Sequence, residues 1–285
     1  MLKPNDFDIY MFDLLGYIHI KQALSKSEVS ELNACLDEIP PLSIGQWHGY
    51  VHAHTYGTVD GLNLQQIYEA GAPFEALIDH PSWIDKIKFF VGGEGTFDNH
   101  HGPLFIDENF ANFREPGEAI GLHSGGFPPI MRNSFRYHGG RFMCGQINIL
   151  MALTDIGPGD GATMVIPGSH KSNFSHPDFF RHAMKSENNS VEGITASVEL
   201  FMEAGDALLF VDGISHGSAT RRNSGTRRIV VYRYGPSWGN FRHGYQVSPE
   251  LLERLTPERR GIVSPQNAQP RGSPYGKASI EPDTK

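Results

Sequence analysis

The sequence predicts a mainly β protein in which a helical N-terminal part, about residues 1–93, packs on one β-barrel, about residues 97–235. From residue 97 onward, short β-like runs alternate with turn clusters such as GPGDG and DGISHG, as in all-β sandwiches and barrels. The 32 Gly and 19 Pro residues follow no repeat period, which indicates many turns and not collagen. We therefore expect one domain over 1–263, followed by a polar, Pro-rich flexible tail over 264–285.

Helical spacing of apolar residues predicts the elements of the N-terminal part. Ser25 begins a Ser-x-x-Glu capping box, and the apolar stripe that follows predicts a helix over 26–39, ended by two prolines. A second helix is predicted near 64–79. A third helix is predicted to begin with a capping-box pattern at Ser82 and to end at Gly92.

Apolar runs predict the strands of the barrel, which are Gly145–Leu153, Ala162–Pro167, Ala207–Val211 and Arg227–Tyr234. Alternation along the last strand places Arg227 on one face and Arg228 on the other. One of the two guanidinium groups should therefore face the barrel interior, where an unpaired charge is costly. We expect this arginine to bind a carboxylate. The alternative, two surface arginines on an edge strand, stays open at this point.

Composition excludes several classes of function. The net charge of −8 argues against a general nucleic-acid binder, and no apolar run is long enough to cross a membrane. Cys35 and Cys144, both expected in the core, are too few for a disulfide scaffold or a Cys-rich zinc module. Because 14 histidines remain, a bound metal would be held by imidazole. The N-terminus lacks a secretory signal pattern, so we expect a cytoplasmic protein.

One series of motifs combines histidine with arginine. His123 stands in the loop GLHSGG, the turn PGSHKSNF follows at 167–174, and His216 in HGS stands eleven residues before Arg227. In this order the chain resembles the phytanoyl-CoA dioxygenase-like family of Fe(II)/2-oxoglutarate oxygenases. The resemblance extends from FDLLGYIHIKQALSKSEVSEL near the N-terminus through Tyr232.

The resemblance implies a double-stranded β-helix, a jelly-roll or cupin-like barrel, and an enzyme that uses Fe(II), 2-oxoglutarate and O₂ on a small molecule. His123 and His216 match the iron-binding histidines. Arg227 matches the arginine that pairs with the far carboxylate of 2-oxoglutarate, and Ser218 matches a hydroxyl that assists it. Two looser matches would line the cosubstrate pocket: Gln146 and Asn148.

One position departs from the family pattern. The carboxylate ligand of the family's facial triad should stand two residues after His123, where this chain has Gly125. A His-x-Gly motif is typical of 2-oxoglutarate-dependent aliphatic halogenases. The resemblance therefore implies chloride as the missing ligand and chlorination of an unactivated carbon through a ferryl–chloride intermediate. We accordingly expect Gly125→Asp to restore a ligand and to abolish chlorination.

Two alternatives to halogenation stay open. In a hydroxylase, water or another carboxylate would complete the iron site, and three acidic residues are candidates: Glu118, Asp160 and Asp212. In a cupin-like binding protein, the fold would bind a ligand without turnover. The last alternative leaves unexplained why both histidines, the serine and the arginine keep their spacing.

A basic segment after His123 contains Arg132, Arg136 and His138. Close to the opening of the site, these side chains could bind the phosphate or carboxylate of an anionic, nucleotide-like metabolite. The alternative is ordinary surface charge on a loop. The sequence predicts no oligomeric state.

The remaining histidines have simpler interpretations. His48, His52 and His54 could form a second metal cluster, but we favour a place at the mouth of the barrel or in a solvated loop. The pair at positions 100 and 101 is expected in a loop, and His170 in the turn PGSH is expected to be structural.

Overall fold

The computed structural model describes residues 3–57, 59–92, 104–125, 130–184, 189–237, 239 and 245–264. The strands in these ranges are β1 (Tyr17–Ile20), β2 (Trp47–His48), β3 (Val51–His54), β4 (Leu62–Gln65), β5 (Phe105–Arg114), β6 (Tyr137–His138), β7 (Arg141–Phe142), β8 (Ile147–Ala152), β9 (Thr163–Val165), β10 (Val198–Leu200), β11 (Ala207–Val211), β12 (His216–Ser218) and β13 (Arg227–Gly235). The α-helices are α1 (Asp6–Leu15), α2 (Lys26–Asp37), α3 (Ala72–Glu75), α4 (Ile84–Val91), α5 (Phe179–His182), α6 (Pro249–Arg254) and α7 (Pro257–Val263).

Two antiparallel sheets enclose the site. The large sheet has the order β1-β11-β8-β13-β5-β4-β3-β2, and the small sheet has the order β10-β9-β12. Leu150 and Val231 of the large sheet line the same cavity as Thr163 and Ser218 of the small sheet. The prediction of a mainly β barrel is confirmed, because the two sheets share one interior, as in a jelly roll.

Strands within the first 93 residues correct the prediction of a purely helical N-terminal part. β1 pairs with the distant β11, with Tyr17 opposite Phe210. At the other edge of the sheet, β2, β3 and β4 continue from β5, with Leu64 opposite Ala111. Strands of two to four residues are too short for alternation to stand out in a sequence, and their partners lie far along the chain. The sheet therefore begins well before the predicted boundary at residue 97.

The helix predicted near 64–79 is also wrong. A strand, β4, is followed by the 3-10 turn Ile67–Ala70, then by α3 and the 3-10 turn Ala76–Asp79. Gln66 has a φ of 56° and Gly71 a φ of 146°, and both values lie outside the right-handed helical region. These two residues break the segment into single turns, although its apolar residues recur at helical spacing.

The other two predicted helices are present. In α2 the capping box is formed in both directions, since Glu28 N donates to Ser25 Oγ (3.3 Å) and Ser25 N donates to Glu28 Oε2 (2.7 Å). α4 ends at Gly92 as predicted, but it lacks a cap from Ser82. The Ser82 hydroxyl donates instead to the carbonyl of Ala23 (2.7 Å). Ser82 therefore contacts a distant segment instead of capping α4.

Strand β13 separates the apolar core from the interior cavity. Ile229 and Val231 line the cavity. Tyr232 and Tyr234, on the opposite face, are buried under the helical segments, where the Tyr232 hydroxyl donates to the carbonyl of Phe74 (2.7 Å). Because one face of the large sheet is covered by helices, its other face is available for a polar site.

The remaining predictions on the fold concern the cysteines and the tail. Cys144 is buried, and Cys35 is half-buried with its thiol donating to the carbonyl of Ala70 (3.1 Å). Apart from Ser264, the predicted tail lies outside the described residues, as does the histidine pair at 100 and 101. None of the described helices has the length and apolar character needed to span a membrane.

Candidate active site

Two histidines from distant parts of the chain lie side by side at the centre of the barrel. His123 N donates to the carbonyl of His216 (2.9 Å), and His216 N donates back to the carbonyl of His123 (3.1 Å). Their ring centroids are 4.0 Å apart. The Nδ1 atoms donate to the carbonyls of Gly121 (2.9 Å) and Ile214 (2.7 Å). A carbonyl can only accept a hydrogen bond, so Nδ1 carries the proton in each ring and Nε2 keeps the lone pair.

Electrostatics keep both imidazoles neutral. Burial lowers the pKa of His216 to about 4. Burial, and then the neighbouring His216, lower the pKa of His123 well below its usual value. Neutral imidazole is the form that binds a metal ion. Two such rings with free Nε2 atoms fit a divalent transition metal.

The first cavity, called the inner cavity here, extends from the histidines between the two sheets. Arg227 lies in its wall and is 1% exposed. Its guanidinium donates to the side-chain oxygen of Asn112 (2.8 Å) and to the carbonyl of Gly161. Arg228 points the other way, to Asp37 (2.6 Å). The prediction that one of the two arginines faces the interior is confirmed.

A second arginine in the inner cavity was missed by the sequence analysis. Arg114 of β5 lies directly opposite Arg227 of β13 in the sheet and is 3% exposed. Its strand, FIDENFANFR, is buried along nearly its whole length and mixes polar with apolar side chains, which hides the alternation. A signal was present, however, because the inward positions end in the polar residues Asn112 and Arg114.

A second cavity, called the outer cavity here, adjoins the first at His123. Four residues line both cavities: Tyr56, Ile120, His123 and Arg233. Arg132 also lines the outer cavity and donates to Asp212 (2.7 Å). Arg233 pairs with Glu108 (3.3 Å). The opposite wall is apolar and consists of Ile120, Leu122, Phe179, Ala183 and Met184.

The family assignment rests on the full length of this barrel. A model of the phytanoyl-CoA dioxygenase family matches residues 12–229, from α1 into β13. The chain belongs to this family. Among its curated relatives, dioxygenase cdmD of Talaromyces verruculosus is 30% identical to this chain over 119 residues. The iron/alpha-ketoglutarate-dependent dioxygenase penM of Penicillium thymicola is 33% identical over 120 residues.

These alignments cover 41% of this chain and 35% and 34% of the two relatives, so the chain spans about a third of their length. Solved structures share the fold more completely. HygX from Streptomyces hygroscopicus, crystallised with nickel and 2-oxoglutarate, has a TM-score of 0.69 at 21% identity and matches 87% of this chain and 94% of its own. The non-heme alpha ketoglutarate dependent carbocyclase SnoK from nogalamycin biosynthesis has a TM-score of 0.55 at 17% identity, over 93% of this chain and 94% of its own.

Gly125 stands where the phytanoyl-CoA dioxygenase pattern has a carboxylate. The backbone conformation and the neighbouring Ser215 leave little room for a side chain at this position. Ser124 and Gly125 have φ values of 64° and 72°. A Cβ at Gly125 would overlap the side-chain oxygen of Ser215 and lie 2.7 Å from its Cβ. An aspartate could be accommodated here only if Ser215 or the turn moved. The expectation that Gly125→Asp restores a ligand and abolishes chlorination stays a prediction.

The three other carboxylates proposed as ligands are engaged elsewhere. Asp160 pairs with Arg221 (3.1 Å), and Glu118 accepts from the backbone of Glu115 (2.6 Å). Asp212 is buried near the histidines, but its oxygens accept from Arg132 and from Asn148 (3.1 Å). Within the described ranges, no third His, Cys, Asp or Glu joins the two histidines in a metal-binding group.

The structure places the three other predicted cosubstrate residues differently. Ser218 lines the inner cavity, where its hydroxyl accepts from Arg114 (2.6 Å) and not from Arg227. Gln146 and Asn148 donate to Asp107 (3.0 Å) and Asp212. Neither amide lines the described part of either cavity. Their strand faces the interior, but acidic neighbours occupy the amide groups, which the sequence could not reveal.

Of the three predicted substrate residues, one lines a cavity and two do not. Arg132 reaches the outer cavity, whereas Arg136 and His138 are exposed at the small β6–β7 hairpin and line neither described cavity. Arg136 and His138 are close to His123 in sequence, but the hairpin places them away from both cavities.

Apart from His123 and His216, no histidine in the described ranges lines either cavity. His48 belongs to β2, and His52 and His54 belong to β3, at one edge of the large sheet rather than in a loop. His52 stacks on Trp47, with ring centroids 4.3 Å apart. His170 is buried in a 3-10 turn next to α1.

Proposed function

We propose that this chain is an Fe(II)/2-oxoglutarate-dependent oxidoreductase that acts on a small molecule. His123 and His216 would hold iron, and Arg227 would bind the far carboxylate of 2-oxoglutarate. The observation that carries the proposal is a pair of neutral imidazoles beside a cavity whose wall also contains a buried guanidinium to which the described residues offer only neutral partners. A dicarboxylic 2-oxo acid complements both groups, because one end chelates a metal and the other pairs with arginine. The dioxygenase names of the relatives support the same chemistry.

The chain's own residues would bind and orient the reactants. Bound iron, together with 2-oxoglutarate and O₂, supplies the oxidising chemistry needed at an unactivated carbon. The carbonyls of Gly121 and Ile214 hold the two imidazoles in the metal-binding tautomer. Leu150 and Val231 are apolar lining residues and would limit contact between water and the cosubstrate.

We propose the outer cavity as the substrate site, because His123 separates it from the inner cavity. Its apolar wall favours a largely apolar molecule. Arg132 and Arg233 are each paired with a carboxylate, so their remaining N–H groups suit a neutral oxygen acceptor better than a phosphate. This argument favours an oxygenated apolar compound over the anionic, nucleotide-like metabolite suggested by the sequence.

Chlorination is a second candidate function, supported by a different observation. As a glycine, residue 125 supplies no carboxylate, and Ser215 leaves little room for one, so the third metal position would be open to an exogenous ligand. The nearby Ser124 hydroxyl is buried and has no hydrogen-bond partner among the described residues. A hydroxyl of this kind could donate to a bound chloride. Water at the same position would give hydroxylation instead.

Anaerobic titration of the protein with Fe(II) and 2-oxoglutarate tests the proposed site. We expect a weak visible charge-transfer band and, with O₂, release of succinate. His216→Ala should lose both signals. Arg227→Gln should need far more 2-oxoglutarate, whereas the outward-facing control Arg228→Gln should behave like wild type. Absence of the band in wild type, with the protein folded, would leave a binding protein without turnover.

The reaction outcome is tested by product mass. Candidate substrates that increase succinate release are incubated with chloride, with bromide, and without halide. A mass increase of one oxygen in all three supports hydroxylation. A chlorine isotope pattern that becomes a bromine pattern with bromide supports halogenation. Small apolar oxygenated compounds and nucleotides should be compared directly, and a preference for nucleotides would contradict the proposed substrate class.

A further inference from the structure

Two buried arginines face each other across neighbouring strands in the inner cavity. Arg114 and Arg227 are directly opposed in the β5–β13 pairing, and both side chains line the cavity. Like charges at opposed positions destabilise a sheet. In the described part of the chain, neither guanidinium forms an ion pair with a carboxylate. The Nε atoms of both are buried without a hydrogen-bond partner. The described residues thus leave both charges without an anion, and an anionic ligand bound in the cavity would neutralise them.

The hydroxyl of Ser218 shows where that anion would bind. Its oxygen accepts from Arg114 Nη1 (2.6 Å) and from the backbone N–H of Ile120 (3.0 Å). A serine hydroxyl has two acceptor positions and one donor. Both acceptor positions are therefore taken, and the hydroxyl proton is left to donate. Ser218 lines the cavity opposite Thr163, so a ligand oxygen there is a suitable acceptor.

We propose that Arg114 is a positioning residue for the cosubstrate: it holds Ser218 as a hydrogen-bond donor and adds a second positive charge beside Arg227. This inference rests on the proposed function, and the ligand is the far carboxylate of 2-oxoglutarate. The chain's own contacts orient the two arginines separately. Asn112 and Gly161 hold Arg227, whereas Ser218 and, weakly, the carbonyl of Asp60 (3.5 Å) hold Arg114.

A purely structural role for Arg114 makes the opposite prediction about stability. If Arg114 mainly stabilised the fold, Arg114→Gln would lower the melting temperature of the ligand-free protein. If it positions a carboxylate, the same change removes a like-charge repulsion, and the ligand-free protein should melt at the same temperature or higher. The stabilisation by a dicarboxylate should then be lost.

The test compares Arg114→Gln, Arg114→Lys and Ser218→Ala with the outward-facing control Arg228→Gln. Thermal melts without metal use glutarate, which resembles 2-oxoglutarate but lacks the chelating 2-oxo group. Anaerobic titrations with Fe(II) give the dissociation constant of 2-oxoglutarate. We expect Arg114→Gln to weaken 2-oxoglutarate about 10- to 100-fold, as for one charge-assisted hydrogen bond. Arg114→Lys should recover part of this loss, and succinate release at saturating 2-oxoglutarate should change little.

A double-mutant cycle separates direct from indirect action. If Arg114 acts through Ser218, Ser218→Ala should weaken 2-oxoglutarate less in the Arg114→Gln background than in wild type. Unchanged 2-oxoglutarate affinity in Arg114→Gln would overturn the inference, and so would a lower ligand-free melting temperature with normal glutarate stabilisation. If Arg114→Gln does not fold, Arg114→Lys and Ser218→Ala carry the same test. Failure of wild type to bind 2-oxoglutarate with iron would instead reject the proposed function.

Discussion

The two cavities that meet at His123 use arginine in opposite ways. In the inner cavity, Arg114 and Arg227 are buried, and their hydrogen-bond partners among the described residues are neutral groups. In the outer cavity, Arg132 is paired with the carboxylate of Asp212, and Arg233, which lines both cavities, is paired with that of Glu108. A buried guanidinium without a carboxylate partner favours an anionic ligand, whereas a paired guanidinium is already neutralised. The comparison shows that the partner of an arginine, and not its presence in a pocket, indicates a charged ligand.

Arg227→Gln tests the role of the inner cavity most directly. We expect the dissociation constant of 2-oxoglutarate to rise by about 100-fold, because a charge-assisted pairing in a desolvated cavity is lost. Thermal unfolding without ligand should change little, since Arg227 forms no ion pair with a carboxylate of the described ranges. Anaerobic spectroscopic titration measures the first effect and calorimetry the second. Equal loss in Arg228→Gln, which lies on the other face of β13, would contradict the assignment.

The outer cavity should respond in the opposite sense to Asp212→Asn. This change leaves Arg132 and Arg233 near a neutral side chain, and removing one partner of a buried pair costs about 3 kcal/mol of unfolding free energy. Urea denaturation monitored by tryptophan fluorescence measures the loss. Asp160→Asn, which removes a partly exposed partner of Arg221, is the matched control and should cost less. Comparable stability of Asp212→Asn and wild type would mean that the outer arginines do not depend on their carboxylates.

Gly125, which follows the shared His123 by two residues, should tolerate no side chain. Gly125→Ala should lose about 2 kcal/mol, because a left-handed φ and a collision with Ser215 add together. Urea denaturation of Gly125→Ala, alone and combined with Ser215→Gly, separates the two causes. The double variant should regain part of the loss. Full stability of Gly125→Ala would show that this turn can rearrange, and would support the expectation that Gly125→Asp supplies a ligand.

A smaller effect concerns pH and a histidine outside both cavities. Burial lowers the pKa of His170 to about 4, below its ordinary value near 6.5. The unfolded chain therefore binds the proton more readily. This contribution to stability is complete above about pH 6.5 and is lost as the pH falls toward 4. We expect the loss of unfolding free energy over this interval to be on the order of 1 kcal/mol smaller in His170→Gln. An unchanged pH profile would exclude His170 as a source.

The predictability of the fold depended on how local each signal was. The capping box of α2 and the apolar run of β11 involve residues close in sequence, and both elements were predicted. β1 and β4 depend on partners elsewhere in the sheet and were missed. In the site, the spacing of His216 and Arg227 was readable from the chain, whereas Arg114 was hidden in a strand whose two faces are both buried.

The sequence alone determined the mainly β architecture and the inward-facing arginine, because periodicity is a local property of the chain, and the resemblance of its motifs pointed to the family. Tertiary structure alone decided which charges are paired. It placed Arg114 opposite Arg227, supplied Asp212 to Arg132, and turned Gly125 toward Ser215. Electrostatic pairing and steric room depend on distances between residues far apart in sequence, and these distances exist only once the two sheets have closed on each other.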